Sequence, residues 1–405
     1  MTMNILYFGT VCEPEHYSRL LEGCRSKPSV STLVFENALL SGFAAHGTQM
    51  EICSYPMIPP FPRSPLLHFG GNSQMLPSGY RCRWLNTVNI PVLKQYSRSR
   101  DARKILRRWG EENRGNGLIL TYSIPPFLIK DILRCAETYD LKTAAIVPDL
   151  LRDMYMNENP RSPVTMLKNV YLRPALRLQD RYDGYIYLTD AMHAVVAPDK
   201  PYTVMEGIAD ASAAAPPCTR EKADPPAVMY AGMLHEKYGI LSLLDAFEAL
   251  DAESAELWLF GDGTAAEQVK ARAAGNPRIR YFGVVPHSKI LAYERRASLL
   301  VNLRPTQETY TEYSFPSKTI EYMLSGTPLL TTRLKGIPDA YFDYVFTADS
   351  GRPEDLARAM RYALTRPQAD RMRLGERAQR FIRREKNAAA QTAGLLAFLE
   401  ESVMQ

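Results

Sequence analysis

The chain has 405 residues, more than one hydrophobic core normally organises, so two or three domains are expected. Its hydrophobic content of 46% and its charged content of 23% are typical of globular proteins and exclude a generally disordered chain. The formal net charge of +5 permits contact with phosphate or with an anionic surface, but it falls short of a nucleic-acid-binding domain's basicity.

The first half of the chain alternates predicted strands and helices. Apolar runs predict strands at residues 4–8, 50–53, 118–122, 144–147 and 185–188. Helical spacing of apolar residues predicts helices at 33–45 and 166–182, and a third that opens at the prolines 125 and 126 and runs to about 138. Residues 55–79 are rich in Pro, Gly and Ser, which predicts a long surface excursion.

The second half repeats this alternation after a change in composition. Residues 209–227 are small, polar and proline-rich, which indicates an interdomain linker. Beyond it, strands are predicted at 228–230, 256–260, 280–282, 299–303 and 328–331. Helices are predicted at 241–250, 265–274, 288–296, 317–325 and 353–364, and from Asp370 to the end of the chain. Two successive β/α units predict two parallel sheets flanked by helices, with ligands in the cleft between the domains.

The cysteines and the start of the chain bear on its compartment. The 6 cysteines form no C-x-x-C pair, so the sequence shows no zinc or redox motif, and scattered reduced thiols in the cytosol are expected. Residues 1–12 lack the regions of a signal peptide, and no apolar run approaches about 18 residues. We therefore expect a cytoplasmic protein that at most lies at the inner face of the cell membrane.

Residues 310–332, YTEYSFPSKTIEYMLSGTPLLTT, are the most informative stretch. Ser314 can cap a helix whose first turn holds Pro316. The backbone N–H groups of Ser317, Lys318 and Thr319 would then be free at a positive dipole end, which is an anion site. The lysine side chain would add a charged donor to that site.

Glu321 lies one turn further along the same predicted helix face. A carboxylate at that place suits the vicinal hydroxyls of a ribose, so helix, anion site and hydroxyl acceptor together predict a cradle for a nucleoside diphosphate. An ordinary capped helix, with its Glu and Lys in solvent, fits the same physics equally well.

The segment S-F-P-S-K-T-I-E-Y-M-L-S-G-T-P resembles the C-terminal signature of the family-4 retaining glycosyltransferases with the GT-B fold. The resemblance is closest to the branch found in capsule, O-antigen and exopolysaccharide clusters. Three further stretches agree in order and spacing: YAGMLHEKYGI at 230–240, LFGDG at 259–263 and YFGVV at 281–285. The resemblance implies two Rossmann-like domains facing a cleft. We assign 1–205 to an acceptor domain, 206–227 to a linker, 228–385 to a nucleotide-sugar domain and 386–405 to a helix that returns to the N-terminal domain.

The family's motif pairs two glutamates separated by seven residues, and only one of them is present here. Glu321 matches the second, which implies a contact with the donor ribose. Tyr313 stands in place of the first, and Glu312 lies one place too early. Phe315 matches an aromatic position whose neighbours offer backbone contacts to the donor. Pro316 removes one of these N–H groups, which leaves Ser317 onward. Val285 belongs to the loop that lies along the nucleobase.

The family's diphosphate clamp is also altered. Met233 and Tyr238 stand where the family carries an Arg and a Lys, so the remaining candidates for that charge are Lys237, Arg304 and Lys318. A departing nucleoside diphosphate needs positive charge and aligned dipoles from some source.

In the N-terminal domain, candidate residues follow the predicted strands. Thr10, Tyr122, Ser123 and Asp149 all lie at strand ends expected to face the cleft, with Thr10 counted among the donor-binding residues. Members of the family often carry a His after the strand that matches residues 118–122. In this chain Tyr122 and Ser123 occupy that place. Asp149 is the best ionisable candidate for contact with the donor sugar or the acceptor, and an N-cap of the next helix is an equally good interpretation.

Other features carry less weight. Gly261-Asp262-Gly263 predicts a tight turn, the 6 histidines show no metal-like spacing, and no D-x-D pair indicates a catalytic metal. His235 is the histidine expected nearest the cleft, and the others are expected on loops or the surface. Residues 94–114 hold eight basic and three acidic residues with Ile105, Leu106 and Trp109 among them. That pattern fits either an amphipathic element on an anionic bilayer or a solvated helix with a packed apolar face.

The resemblance, together with the predicted anion site, therefore implies a glycosyltransferase that retains the anomeric configuration, and we expect it to need neither a metal nor a cofactor. Its donor would be a UDP- or GDP-linked sugar, and its acceptor a growing surface polysaccharide or a lipid-linked precursor. The assigned catalytic residues are Lys318, Lys237 and Asp149, and the assigned donor-binding residues are Glu321, Ser317, Thr319, Phe315, Ser314, Arg304, Val285 and Thr10. Two alternatives stay open: a sugar-nucleotide 2-epimerase on the same frame, and a catalytically idle relative that binds a nucleotide sugar. No nucleic-acid partner is expected.

Overall fold

The computed structural model describes residues 3–25, 28, 31–152, 163–209, 221–250 and 255–405. The chain divides into two compact units. Unit 1 comprises Met1–Asp210 with Ala388–Gln405, and unit 2 comprises Ala211–Asn387. The predicted linker at 206–227 falls at this division, and its residues 210–220 lie outside the described part of the chain.

Unit 1 is built on a sheet of eight strands. The strands of this unit are β1 Asn4–Gly9, β2 Met50–Ser54, β3 His68–Phe69, β4 Ser73–Met75, β5 Arg81–Trp84, β6 Thr87–Val88, β7 Gly117–Tyr122, β8 Lys142–Val147, β9 Gly184–Tyr187 and β10 Tyr202–Val204. The order in the sheet is β10-β9-β8-β7-β1-β2-β5-β4, parallel except for β4, while β3 and β6 form a separate antiparallel pair. The central strands are buried on both faces, as their continuous apolar runs predict.

Helices cover this sheet. They are α1 Pro14–Leu20, α2 Ser31–Ala45, α3 Leu93–Glu112, α4 Ile129–Tyr139, α5 Pro163–Leu178 and α6 His193–Val196. The predicted surface excursion at 55–79 is wrong in part, because the chain there forms β3 and β4 and buries Ile58, Phe69 and Leu76 in the core. Helix α4 begins at Ile129 rather than at the prolines, since the preceding residues form a turn in which Leu128 N–H donates to the carbonyl of Pro125.

Unit 2 is a sheet of six parallel strands. They are β11 Ala227–Ala231, β12 Glu256–Phe260, β13 Ile279–Gly283, β14 Leu299–Asn302, β15 Leu329–Thr332 and β16 Phe346–Ala348, in the order β13-β12-β11-β14-β15-β16. The flanking helices are α7 Ile240–Glu248, α8 Ala266–Gly275, α9 His287–Arg296, α10 Lys318–Leu324, α11 Pro353–Thr365 and α12 Gln368–Glu385. Successive strands add to one side of β11 and then to the other, so the strand order reverses between β11 and β14.

The C-terminal segment returns to unit 1. The predicted continuous helix from Asp370 is interrupted after α12, and α13 Ala388–Phe398 packs on α2. A Cβ on Gly42 would lie 2.4 Å from the carbonyl oxygen of Ala388, so this close approach requires glycine. The Gln391 amide also donates to the Gly207 carbonyl at 2.7 Å. None of the described helices is long and apolar enough to span a bilayer.

Candidate functional site

The point where the strand order of unit 2 reverses organises a candidate site. Ligands of open parallel sheets bind at the carboxyl ends of strands where the order reverses, here β11 and β14. Gly239, in the chain that follows β11, has a φ of +79°, and a Cβ there would lie 2.1 Å from the Leu303 carbonyl oxygen beyond β14. The two loops therefore approach each other closely, and only glycine fits between them.

Two of the predicted cations meet across these loops at one tyrosine. The Lys237 ammonium lies 5.2 Å from the centroid of the Tyr238 ring, and the Arg304 guanidinium lies 5.1 Å from the same centroid. The Tyr310 hydroxyl donates to the Lys237 carbonyl at 2.7 Å, and the Thr332 hydroxyl donates to the Arg304 carbonyl at 2.7 Å. Both cations are thus carried on fixed backbone, beside an aromatic ring that attracts them.

Helix α10 begins later than the sequence predicted. Its first residue is Lys318, and Ser317 occupies the cap position with helical dihedral angles and no capping side-chain bond. Ser314 therefore does not cap this helix, and Pro316 precedes it rather than lying in its first turn. A helical φ and ψ at the cap position are unlike those of a side-chain N-cap, which is extended.

The prediction that the backbone amides of Ser317, Lys318 and Thr319 are all free is wrong for Thr319. Thr319 N–H donates to the Pro316 carbonyl at 2.8 Å, and its buried hydroxyl accepts from Asn302 Nδ2 at 3.3 Å. Thr319 therefore joins α10 to the end of β14. Ser317 is exposed and Ser314 is half-buried. Phe315 is buried, with its ring centroid 5.5 Å from that of Tyr341, so the ring faces the core.

Glu321 is the centre of a charged cluster on α10. Its Oε1 accepts from Lys318 Nζ at 2.7 Å, and its Oε2 lies 3.1 Å from His287 Nε2. The Glu321 side chain keeps 28% of its surface exposed. Burial raises the pKa of this carboxyl, but the hydrogen bonds from His287 and Lys318 outweigh that effect and lower the pKa to about 2. Glu321 is therefore an ionised acceptor at neutral pH.

A buried tyrosine fixes this cluster near the strand-order reversal. The Tyr322 hydroxyl accepts from Ala231 N–H at 2.9 Å and lies 3.1 Å from the Ala231 carbonyl, at the end of β11. Lys318 Nζ lies 5.8 Å from the centroid of the Tyr322 ring. The Glu321 cluster therefore sits at the same sheet edge as Lys237 and Arg304.

Sequence reasoning missed His287, which was expected to be an ordinary surface or loop residue. It begins α9, two residues after the half-buried Val285 in the loop that follows β13. That loop belongs to the YFGVV stretch already singled out, which was the available signal. His235, the histidine expected nearest the cleft, lies 6.0 Å from the Tyr238 ring between centroids. Its Nδ1 accepts from Lys237 N–H at 3.2 Å and caps a short 3₁₀ turn.

The two assigned residues of the N-terminal half lie in unit 1. Asp149 is exposed beyond the end of β8. Thr10 follows β1, and its N–H donates to both oxygens of Glu36, at 3.0 and 2.9 Å, while the Tyr7 hydroxyl donates to Glu36 at 2.7 Å. Complete burial raises the pKa of Glu36 to about 7, although the hydrogen bonds from Thr10 and Tyr7 lower it. Sequence reasoning did not single out this carboxyl, which lies buried within the apolar helix α2.

No group of three or more His, Cys, Asp or Glu side chains in the described ranges is placed to hold a metal ion. Metal independence of the reaction stays a prediction.

The site residues of unit 2 lie in a segment that matches a known protein family. Residues 225–366 match the family Glycosyl transferases group 1. Every assigned site residue of unit 2, from Lys237 to Glu321, falls inside the matched segment. No curated protein matches the chain.

Solved structures match the whole chain at low identity. Sucrose-phosphate synthase from Thermosynechococcus elongatus has a TM-score of 0.63 and 17% identity, covering 97% of this chain and 98% of its own. Anabaena Alr3699/HepE in complex with UDP-glucose has a TM-score of 0.62 and 14% identity, covering 98% and 99%. The UDP-forming α,α-trehalose-phosphate synthase from Burkholderia xenovorans has a TM-score of 0.60 and 12% identity, covering 99% of each chain. These similarities show the GT-B fold, with two Rossmann-like domains.

Proposed function

We propose that the protein is a retaining glycosyltransferase that moves a sugar from a nucleoside diphosphate donor to a surface polysaccharide or its lipid-linked precursor. The observation that carries the proposal is the ionised Glu321, held by Lys318 and His287 at the sheet edge where Lys237 and Arg304 both lie beside the Tyr238 ring. The surrounding segment matches group 1 glycosyl transferases. The resemblance of the SFPSKTIEY segment to family-4 enzymes supports the retaining outcome.

Each charge in the site has a role that follows from its chemistry. Glu321, an acceptor with part of its surface open, receives the hydroxyls of the donor ribose. Lys318, Lys237 and Arg304 neutralise the diphosphate, whose oxygens form short charge-assisted hydrogen bonds with such donors. UDP is the favoured donor nucleotide, because similar structures hold UDP-glucose or belong to a UDP-forming synthase.

The chemical step exchanges one bond to the sugar's anomeric carbon for another. The bond from that carbon to the donor phosphate breaks, and a bond to the acceptor hydroxyl oxygen forms on the same face. The leaving phosphate takes the hydroxyl's proton and departs as a nucleoside diphosphate. Positive side chains lower the barrier by stabilising the charge that develops on this phosphate. Asp149 and Thr10 are assigned to the acceptor or donor sugar on the strength of their strand-end positions.

A donor screen with purified protein tests this function. We expect release of nucleoside diphosphate from one activated sugar in the presence of a glycan or lipid-linked acceptor, with UDP-sugars preferred. Donor binding without turnover under any acceptor would identify a catalytically idle relative, and epimerisation of the sugar without an acceptor would identify an epimerase. Failure to bind any nucleotide sugar would overturn the proposal.

The predicted membrane contact requires different residues from those the sequence suggested. Ile105, Leu106 and Trp109 on α3 are buried in unit 1, so this apolar face packs inside the protein and cannot meet a bilayer. Near this helix, exposed apolar residues lie instead before its start and in its first turn, namely Ile90, Val92, Leu93 and Tyr96.

We infer that this apolar tip, defined by Ile90, Val92, Leu93 and Tyr96, meets an anionic membrane. Val92 is 76% exposed and has a φ of +69°, a strained conformation for a β-branched residue. The exposed Arg100 and Lys104 continue the same helix beyond the tip, and basic residues beside an apolar tip suit anionic headgroups.

Sedimentation with vesicles tests the membrane contact. The protein is expected to sediment with phosphatidylglycerol-containing vesicles and not with neutral ones. Replacing Val92, Leu93 and Tyr96 by Ser should abolish this, whereas Met75→Ser, at an apolar residue of the same unit that is 56% exposed, should not. Binding that is indifferent to the triple change would contradict the assignment of the tip.

A further inference from the structure

Helix α9 presents a second acidic residue to the site. His287, Ile290 and Glu294 recur at helical spacing, and the last two are buried. Hydrogen bonds join one end of this face to α10 and the other end to the turn after α10. His287 contacts Glu321 at 3.1 Å, and the Thr327 hydroxyl donates to the Glu294 carbonyl at 2.7 Å. The backbone at Glu294 is therefore held beside the turn that follows α10.

The carboxyl of Glu294 is fully buried, with 0% of its surface exposed, and neither oxygen has a donor among the described residues. The carboxyl of Glu321 is one of its neighbours, and both the charge of Glu321 and a hydrogen bond between the two carboxyls raise the pKa of Glu294. Two facing carboxylates would repel each other, and an ionised one without a donor is costly to bury. The arrangement is stable when one of the two carries a proton.

The surroundings decide which carboxyl is protonated. Glu321 accepts hydrogen bonds from Lys318 and His287, whereas Glu294 accepts a hydrogen bond from neither. Burial, followed by the charge of Glu321, raises the pKa of Glu294 well above its usual value, and Lys318 and Arg295 oppose this only in part. The Tyr322 hydroxyl is a further titratable neighbour, and Lys222 binds the Arg295 carbonyl and the Thr327 hydroxyl nearby. The proton therefore resides on Glu294.

We propose that Glu294 is a positioning residue that donates a hydrogen bond from its protonated carboxyl to Glu321 and holds that carboxylate in place for the donor ribose. The inference rests on the proposed function and deepens it. Three donors, from Lys318, His287 and Glu294, then fix a single acceptor. Loss of the proton from Glu294 at high pH would set two charges against each other and displace Glu321 from the ribose position.

Two substitutions separate this role from mere packing. Glu294→Gln keeps the shape and supplies an N–H donor, but it cannot ionise. We expect it to bind UDP within about twofold of wild type at neutral pH and to lose the weakening of affinity at alkaline pH. Glu294→Leu removes the donor and should weaken UDP binding by about tenfold, since hydrogen bonds to charged groups are among the stronger ones. Glu267→Gln, an exposed carboxyl on α8, is the matched control.

Calorimetric titration of UDP across pH, with thermal unfolding to confirm folding, measures these effects. Wild-type affinity for Glu294→Leu, or an unchanged pH profile for Glu294→Gln, would overturn the positioning role while leaving the proposed function standing. Infrared difference spectra between wild type and Glu294→Gln test the proton without any ligand. A protonated-carboxyl band is expected in wild type at neutral pH, and its absence would overturn the inference even if no nucleotide binds.

Discussion

The two units bury carboxyls in opposite ways. In unit 1, Glu36 accepts hydrogen bonds from Tyr7 within β1 and from Thr10, which follows the strand. In unit 2, Glu294 is equally buried without a donor of its own, while its neighbour Glu321 holds the donors and keeps partial contact with solvent. A fully enclosed carboxyl with donors fixes a loop, whereas a partly open one backed by a neutral partner can accept a ligand. The difference distinguishes structural from binding carboxyls.

The largest expected effect concerns Glu36 and the pH dependence of stability. Its pKa is about 7 in the folded state and about 4.5 in the unfolded chain. Below pH 4.5 it is protonated in both states. As pH rises towards 7, only the unfolded state loses the proton, so stability falls with rising pH, by about 3 kcal/mol in total, and levels off above 7.

The matched comparison is with Glu36→Gln, which cannot ionise. Denaturant unfolding of both proteins between pH 4 and pH 8 should show the wild-type free energy of unfolding declining relative to that of the variant across this window. Parallel curves would mean that the enclosed carboxyl titrates normally, and the contrast with Glu294 would lose its basis.

The next effect concerns Glu321 itself. Glu321→Ala should weaken UDP binding by at least about tenfold, because it removes the charged acceptor from the ribose. Glu312→Ala is the control, since Glu312 is the other acidic residue near the family's first position, and it forms an ion pair with Lys335. Calorimetry on both folded variants decides the matter. Equal affinities for Glu321→Ala and wild type would exclude the ribose role.

The paired cations offer a smaller test. Lys237→Met and Arg304→Met should each weaken UDP binding about fivefold and leave uridine binding unchanged, because both contacts are with phosphate. Added salt should reduce the difference between variant and wild type. Lys270→Met, at an exposed lysine paired with Glu267, controls for loss of charge alone. Weakening of uridine as well as UDP would show that these residues instead support the Tyr238 region structurally.

The sequence predicted the fold well and the site in part, for physical reasons. Buried parallel strands are continuous apolar runs, so the central strands of both sheets could be located. The short edge strands β10 and β16 carry too few residues for a periodic signal. Glu321 lay in a recognisable motif. Glu36 and Glu294 lay inside helices, where nothing local distinguishes a buried acid from a solvated one. Their environments are set by contacts with residues far away along the chain.

The smallest expected effect concerns His287, the residue that sequence reasoning missed. Its ring is 66% exposed and contributes one of the hydrogen bonds to Glu321. Because Lys318 and Glu294 still hold the carboxylate, His287→Ala should weaken UDP binding only about threefold, a value typical of one exposed hydrogen bond. Combining it with Glu294→Leu should cost more than the two single effects together, since only Lys318 would then restrain Glu321. Simple additivity in a double-mutant cycle would show that the three donors act independently rather than fixing one acceptor.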